Sequence, residues 1–119
     1  VLVVDDVQEQ REIASLLLTK LGYRVAAVQG GEEAVEYLKE RPADLLLLDM
    51  IMSPGIDGLE AYRRILQVRA GQKAIIVSGY SETERVREAL RLGAGGYIKK
   101  PYALQNIAAA VRKELDRRG

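Results

Sequence analysis

Leu45-Leu46-Leu47-Leu48 is apolar at every position and stops abruptly at Asp49. A strand with one wet face alternates apolar and polar residues, whereas one that is apolar on both faces must be covered on both. The run therefore predicts a central strand of a parallel sheet packed between layers of helix. Val1-Leu2-Val3-Val4, ending at Asp5-Asp6, and Ala74-Ile75-Ile76-Val77, ending at Ser78, have the same character. Tyr23-Arg24-Val25-Ala26-Ala27-Val28 and the short Gly96-Tyr97-Ile98-Lys99, followed by Lys100-Pro101, read as two more strands.

Helical patterns fill the gaps. The first places Ile13, Leu16, Leu17 and Leu21 on one face and ends at Gly22. The second opens after Gly30-Gly31 with Glu32 and Glu33, acidic groups that suit a helix N-terminus, and buries Ala34, Val35 and Leu38. Asp57 with Glu60 reads as a capping box for the third, which turns Leu59, Tyr62, Ile65 and Leu66 inward and ends at Gly71. Ser81 with Glu84 reads as a second such box, for a helix burying Val86, Ala89 and Leu90 and ending at Gly93. The last helix packs Leu104, Ile107, Ala108, Val111 and Leu115, and the mixed-sign stretch from Arg112 to Arg118 reads as its frayed end. Five strands alternating with five helices make an α/β domain, and 119 residues fit one domain with a real core.

Polar residues gather where the strands stop. Asp5 and Asp6 follow the first strand, Asp49 the third, Ser78 the fourth and Lys100 the fifth. Ligands of open parallel sheets bind beyond these carboxyl ends. The chain has neither His nor Cys, so chemistry there must run on carboxylates, hydroxyls and lysine. At about 4 Å and an effective dielectric near 20, each pair of carboxylates repels by about 4 kcal/mol. Left alone, one of them would raise its pKa. A hard divalent cation relieves the repulsion, and oxygen-only ligands point to Mg²⁺ or Mn²⁺. A carboxylate such as Asp49 can then act as nucleophile toward phosphorus, with the Ser78 hydroxyl and the Lys100 ammonium compensating charge on the phosphoryl oxygens.

The order and spacing of these motifs resemble the response-regulator receiver family. Val-Val-Asp-Asp at 3–6, Leu-Leu-Leu-Leu-Asp at 45–49, Pro54 through Asp57-Gly58, Ser78-Gly79 and Gly96-Tyr97-Ile98-Lys99-Lys100-Pro101 carry the likeness. The resemblance implies a flavodoxin-like, doubly wound sheet in strand order 2-1-3-4-5. It implies that Asp49 accepts a phosphoryl group from a histidine kinase or histidine phosphotransfer domain. Asp6 would bind Mg²⁺ directly, Asp5 through water, and the main-chain carbonyl of Ile51 would add a ligand. Ser78 and Tyr97 would switch on activation. Lys100, preceding Pro101, would be the phosphoryl-pairing lysine, with the Lys-Pro bond cis. It further implies a surface on the fourth helix, fifth strand and fifth helix, for homodimerisation among other contacts, and an output or kinase domain elsewhere in a longer chain. Such a module is not a conventional enzyme and resides in the cytoplasm. One departure is the loop from Met50 to Asp57, in which Pro54 stands five residues after Asp49 rather than four. The wording of this loop, of Ser78-Gly79-Tyr80-Ser81 and of Lys99-Lys100-Pro101-Tyr102 is similar to receivers of hybrid sensor kinases.

Other functions stay open on these residues alone. A flavin or nucleotide binder on the same fold needs a Gly- or Ser-rich phosphate cradle after the first strand, where this chain has Asp5-Asp6. An aspartyl phosphatase usually spaces its two Asp residues two apart, and Asp5 and Asp6 are adjacent. A docking module that is never phosphorylated remains the third alternative. A net charge of +1 gives no reason for nucleic-acid or membrane-surface binding, and no apolar run is long enough to span a bilayer. The chain starts at Val1, inside a strand-like run, and reads as a piece of a longer protein.

Overall fold

The structure, a computed structural model, describes residues 1–51, 55–79 and 83–117. Five strands, β1 (Leu2–Val4), β2 (Ala26–Val28), β3 (Leu46–Asp49), β4 (Ala74–Ser78) and β5 (Gly96–Lys99), alternate with α1 (Gln8–Lys20), α2 (Gly31–Glu40), α3 (Gly58–Val68), α4 (Glu84–Leu92) and α5 (Leu104–Asp116). All pairings are parallel, in the order β2-β1-β3-β4-β5. This is the doubly wound, flavodoxin-like arrangement, and the order reverses between β1 and β3.

Alternate residues of the apolar runs feed two separate cores. Leu2, Val4, Leu46, Leu48, Ala74 and Ile76 face α2, α3 and α4, packing with Ala34, Leu38, Tyr62, Ile65 and Val86. Val3, Leu47, Ile75, Val77 and Ile98 face α1 and α5, packing with Ala14, Leu18, Ile107 and Val111. Two hydrophobic layers on one sheet explain why the central runs carry no polar alternation. Among the described residues no helix is long and apolar enough to cross a membrane.

Several helices differ in detail from the sequence expectation. On α1 the buried residues are Ala14 and Leu18, with Leu17 and Leu21 partly covered, whereas Ile13 and Leu16 are 44% and 61% exposed. Leu16-Leu17-Leu18 points in three directions, so periodicity alone leaves the inward face undecided. Small Ala14 lets the helix lie close to the sheet. β2 begins only at Ala26, because an edge strand pairs with β1 alone, while Tyr23 and Val25 still pack on the core. Asp57 caps α3, accepting from the Glu60 amide at 3.0 Å. The cap of α4 is Thr83, whose Oγ1 accepts from the Val86 amide at 3.3 Å; Ser81 lies outside the described residues.

The C-terminal helix departs most. Leu104 is exposed, yet α5 continues to Asp116 and buries Glu114 at 2% exposure. The Glu114 carboxylate accepts from Arg117 Nε and Nη2 at 2.6 and 2.8 Å, and Arg117 donates to the Gly93 carbonyl at 3.3 Å. Gly95 provides the room, since a Cβ there would fall 2.0 Å from that carboxylate. Lys73 Nζ donates to the Leu115 carbonyl at 3.1 Å, tying the helix end to the start of β4. Glu114 and Arg117 of this stretch thus form an internal clasp rather than a frayed end, while Arg112 and Asp116 pair at the surface and Arg118 lies outside the described residues.

Candidate functional site

Because β1, β3, β4 and β5 run parallel and adjacent, their carboxyl ends open on one rim. Val4 pairs with Leu48, Asp49 with Val77 and Ser78 with Lys99. This register sets Asp5 and Asp6 beside Asp49, and Lys100 just past Ser78. The backbone amide of Lys100 donates to the Ser78 carbonyl at 2.8 Å, fixing that neighbour. The Lys100–Pro101 bond is cis.

Oxygens of Asp5, Asp6 and Asp49 lie within 4.8 Å of one another. Asp5 and Asp49 are buried, and Asp6 is the most open of the three. Asp5 is firmly anchored. Its Oδ1 accepts from the Val7 amide at 3.0 Å, its Oδ2 pairs with Lys100 Nζ at 2.9 Å, and Arg11 donates to its carbonyl at 2.8 Å. Lys100 also stands 3.5 Å from Asp49 Oδ1, so one ammonium is shared by two buried carboxylates.

A single ammonium does not offset both Asp5 and Asp49. Burial pushes the Asp49 carboxyl up to about 6, helped by the charges of Asp5 and Asp6, against the pull of Lys100 and a hydrogen bond from the Ile51 amide. The strain of the cluster therefore falls on Asp49. Oxygen-only donors gathered this closely around excess negative charge suit a hard divalent cation. The set thus fits Mg²⁺ or Mn²⁺.

Ser78 and Tyr97 share a face of the sheet. Ile76 pairs with Tyr97, and Ser78 lies two residues along the same strand. Ser78 is buried, and Tyr97 is half-buried against the α2–α3–α4 core. Ile51 reaches Asp49 through its amide, and the residue is 53% exposed. Pro54 of the lengthened loop lies outside the described residues.

Sequence reasoning gave four contributors no role at the site, although Gly58 and Tyr102 stand in its motifs. Tyr102 packs partly buried beside the site, its hydroxyl pushed up by burial and by the charges of Asp5 and Asp49. Arg11 holds the Asp5 backbone. Its one legible signal is a position in the first turn of the helix that follows the acidic pair. Gly58 lies against the end of β3, its amide donating to the Met50 carbonyl at 3.0 Å. Arg85 pairs with Asp57 across a cavity of about 330 Å³ lined also by Met50, Ile51 and Ser78. No spacing rule links residues 57 and 85.

A family model described as "Response regulator receiver domain" matches residues 1–112. The chain belongs to the response regulator receiver family. This receiver is 34% identical over 114 residues to the chemotaxis protein CheY of Thermotoga maritima, covering 95% of its own length and 94% of that protein. It is 35% identical over 116 residues to sporulation initiation phosphotransferase F of Bacillus subtilis, covering 97% and 92%. It is 36% identical over 115 residues to the transcriptional regulatory protein ZraR of Escherichia coli O157:H7, covering 97% of its own length but 26% of that larger chain. Among solved structures, a CheY-like receiver domain protein from Methanospirillum hungatei superposes with a TM-score of 0.89 at 28% identity, covering 97% and 91%. The receiver domain of sensor histidine kinase PA1611 from Pseudomonas aeruginosa, solved with magnesium coordinated in its active-site cleft, shares the fold at a TM-score of 0.87, covering 98% and 96%, and is 24% identical.

Proposed function

We propose that this receiver takes a phosphoryl group on Asp49 from a histidine kinase or histidine phosphotransfer domain and relays that event to an output or kinase domain of a longer chain. The observation that carries the reading is the convergence of Asp5, Asp6 and Asp49 within 4.8 Å, with Lys100 bridging two of them. Residues this far apart in sequence meet at one rim, and Asp49, one of the two buried members, has the raised carboxyl expected of a poised group.

In the proposed step an Asp49 oxygen forms a bond to phosphorus as the bond to the donor's leaving atom breaks. The electron pair of that bond departs with the donor. Asp6 would hold Mg²⁺ directly, Asp5 through water, and the Ile51 carbonyl would complete the protein ligands. A bound Mg²⁺ supplies charge neutralisation to the carboxylates and to the phosphoryl group. Lys100 moves from carboxylate pairing to a phosphoryl oxygen, a role open to a compact charge on a flexible stem. Ser78 offers its hydroxyl to a second oxygen. Turning toward the acceptor, it frees space on the face it shares with Tyr97, whose rotamer then reports the phosphorylated state to the α4–β5–α5 surface. The PA1611 receiver, with magnesium in its cleft, supports the choice of metal.

The test is the intact mass after incubation with acetyl phosphate. With Mg²⁺ the chain is expected to gain one phosphoryl group, released at alkaline pH as an acyl phosphate is, and without Mg²⁺ to gain none. Asp6→Ala is expected to weaken Mg²⁺ binding by roughly tenfold or more, measured by titration calorimetry. A folded protein that binds Mg²⁺ yet never acquires the phosphoryl group would favour the docking-module reading instead.

A further inference from the structure

The first turn of α4 is tied across a cavity to the N-cap of α3. Arg87 and Arg91 pair with Glu84 and Glu88 of their own helix, whereas Arg85 Nη2 pairs with Asp57 Oδ2. The other Asp57 oxygen is already committed, accepting from the Glu60 amide at 3.0 Å. Both side chains of the Arg85–Asp57 pair are substantially exposed, at 53% and 33%. The pair stands on the wall of the cavity of about 330 Å³ whose other lining includes Met50, Ile51 and Ser78. The cavity lining therefore brings the guanidinium together with the hydroxyl-bearing strand end and the two residues that follow Asp49, with Thr83 and Glu84 completing it.

We propose that Arg85 exchanges Asp57 for the phosphoryl group on Asp49, an inference that rests on Asp49 being the phosphoacceptor. An exposed carboxylate pair holds an arginine weakly. A phosphoryl group brings a charge of about −1.5 to −2 with three acceptor oxygens, and a guanidinium fork matches those oxygens better than an ammonium does. Asp57 loses little by the exchange, because its capping bond to Glu60 is made by the other oxygen. In the unphosphorylated protein Asp57 thus competes for Arg85. In the phosphorylated protein Arg85 draws the first turn of α4 toward the rim that carries Ser78. Arg85 then tunes how readily the phosphoryl group is acquired and how long it is kept.

The competition gives the two partners opposite signs, which a merely structural bridge does not. The experiment uses the Mg²⁺-loaded chain, with acetyl phosphate as donor, and follows phosphorylated mass during labelling and after donor removal. Arg85→Ala is expected to slow labelling and hasten loss, each by roughly three- to fivefold, the scale of one partly exposed charge pair. Asp57→Asn keeps a good helix cap and is expected to shift both rates by a similar factor the other way. The double variant is expected to match Arg85→Ala, and Arg85→Lys to fall between Arg85→Ala and wild type. Arg85→Ala and Asp57→Asn moving together, both unchanged, or moving with signs reversed would each overturn the exchange. Wild-type chain that fails to label at all would instead overturn the reading of Asp49, and the exchange with it.

Discussion

Asp49→Asn is expected to abolish phosphoryl labelling and, in metal-free solution at pH 8, to make the protein more stable. The first effect follows because an amide is no nucleophile toward phosphorus, so mass gain at this position should vanish rather than decline. The second follows from linkage. Burial and the neighbouring Asp5 and Asp6 raise the Asp49 carboxyl from 3.8 to about 6. A group raised in the folded state stabilises the fold below its unfolded pKa, and that contribution is lost as pH rises through its folded value. Between about 3.8 and 6 the folded chain holds a proton that the unfolded chain has released, so stability falls across that window. Above it the native state carries the full cost of the buried charge, about 1–3 kcal/mol for a shift of roughly two units. Asparagine removes that charge, keeps an oxygen for the Ile51 amide, and leaves Lys100 its 2.9 Å bond to Asp5.

The gain should therefore be present at pH 8, fall to roughly half near pH 5 and toward zero near pH 4, and narrow when Mg²⁺ is added to the wild type. Thermal melts followed by circular dichroism across pH, with chelator and with Mg²⁺, check all three. A variant less stable than wild type at pH 8 without metal would mean that the carboxylate cluster is not under electrostatic strain.

Gly58→Ala is expected to cost about 3 kcal/mol or more and to lower the melting temperature by on the order of 10 °C. Ala is intrinsically the better helix residue by about 1 kcal/mol, so a propensity argument alone predicts a gain. Space decides the sign. A Cβ on Gly58 would lie 2.4 Å from the Asp49 carbonyl oxygen and 2.7 Å from the Met50 Cα, both main-chain atoms. Backbone cannot swing aside as a side-chain tip can, so either α3 or the end of β3 must move. Movement of β3 shifts Asp49 itself, and labelling by acetyl phosphate should fall along with stability. Gly96→Ala serves as the control. Nothing lies within 4 Å of a Cβ built there, and the variant should melt within a few degrees of wild type.

The alternation of apolar runs and helical stripes determined the fold class from sequence alone, because a strand buried on both faces leaves few other architectures. Strand ends at Asp5-Asp6, Asp49, Ser78 and Lys100 were legible for a related reason. A polar residue that interrupts an uninterrupted apolar run marks where the sheet meets solvent. Which helix face turns inward was less legible. Leu16-Leu17-Leu18 offers three candidates, and the choice of Leu18 with Ala14 is made by how closely α1 lies on β1 and β2. Glu114 was illegible as a buried residue, since its burial depends on Gly95 and Arg117, which the chain brings to it only by folding.

The sequence by itself determined the chemical inventory and its location. Without His or Cys, the titratable groups at the strand ends are carboxylates and a lysine. Only the tertiary structure decided how the charges are shared. Lys100 lies closer to Asp5 than to Asp49, burial places the electrostatic cost on Asp49, and Arg85 reaches Asp57 rather than a neighbour on its own helix. The physical reason is range. Periodicity and strand ends are properties of neighbouring residues, whereas ion pairing and burial depend on distances between groups as many as 95 residues apart.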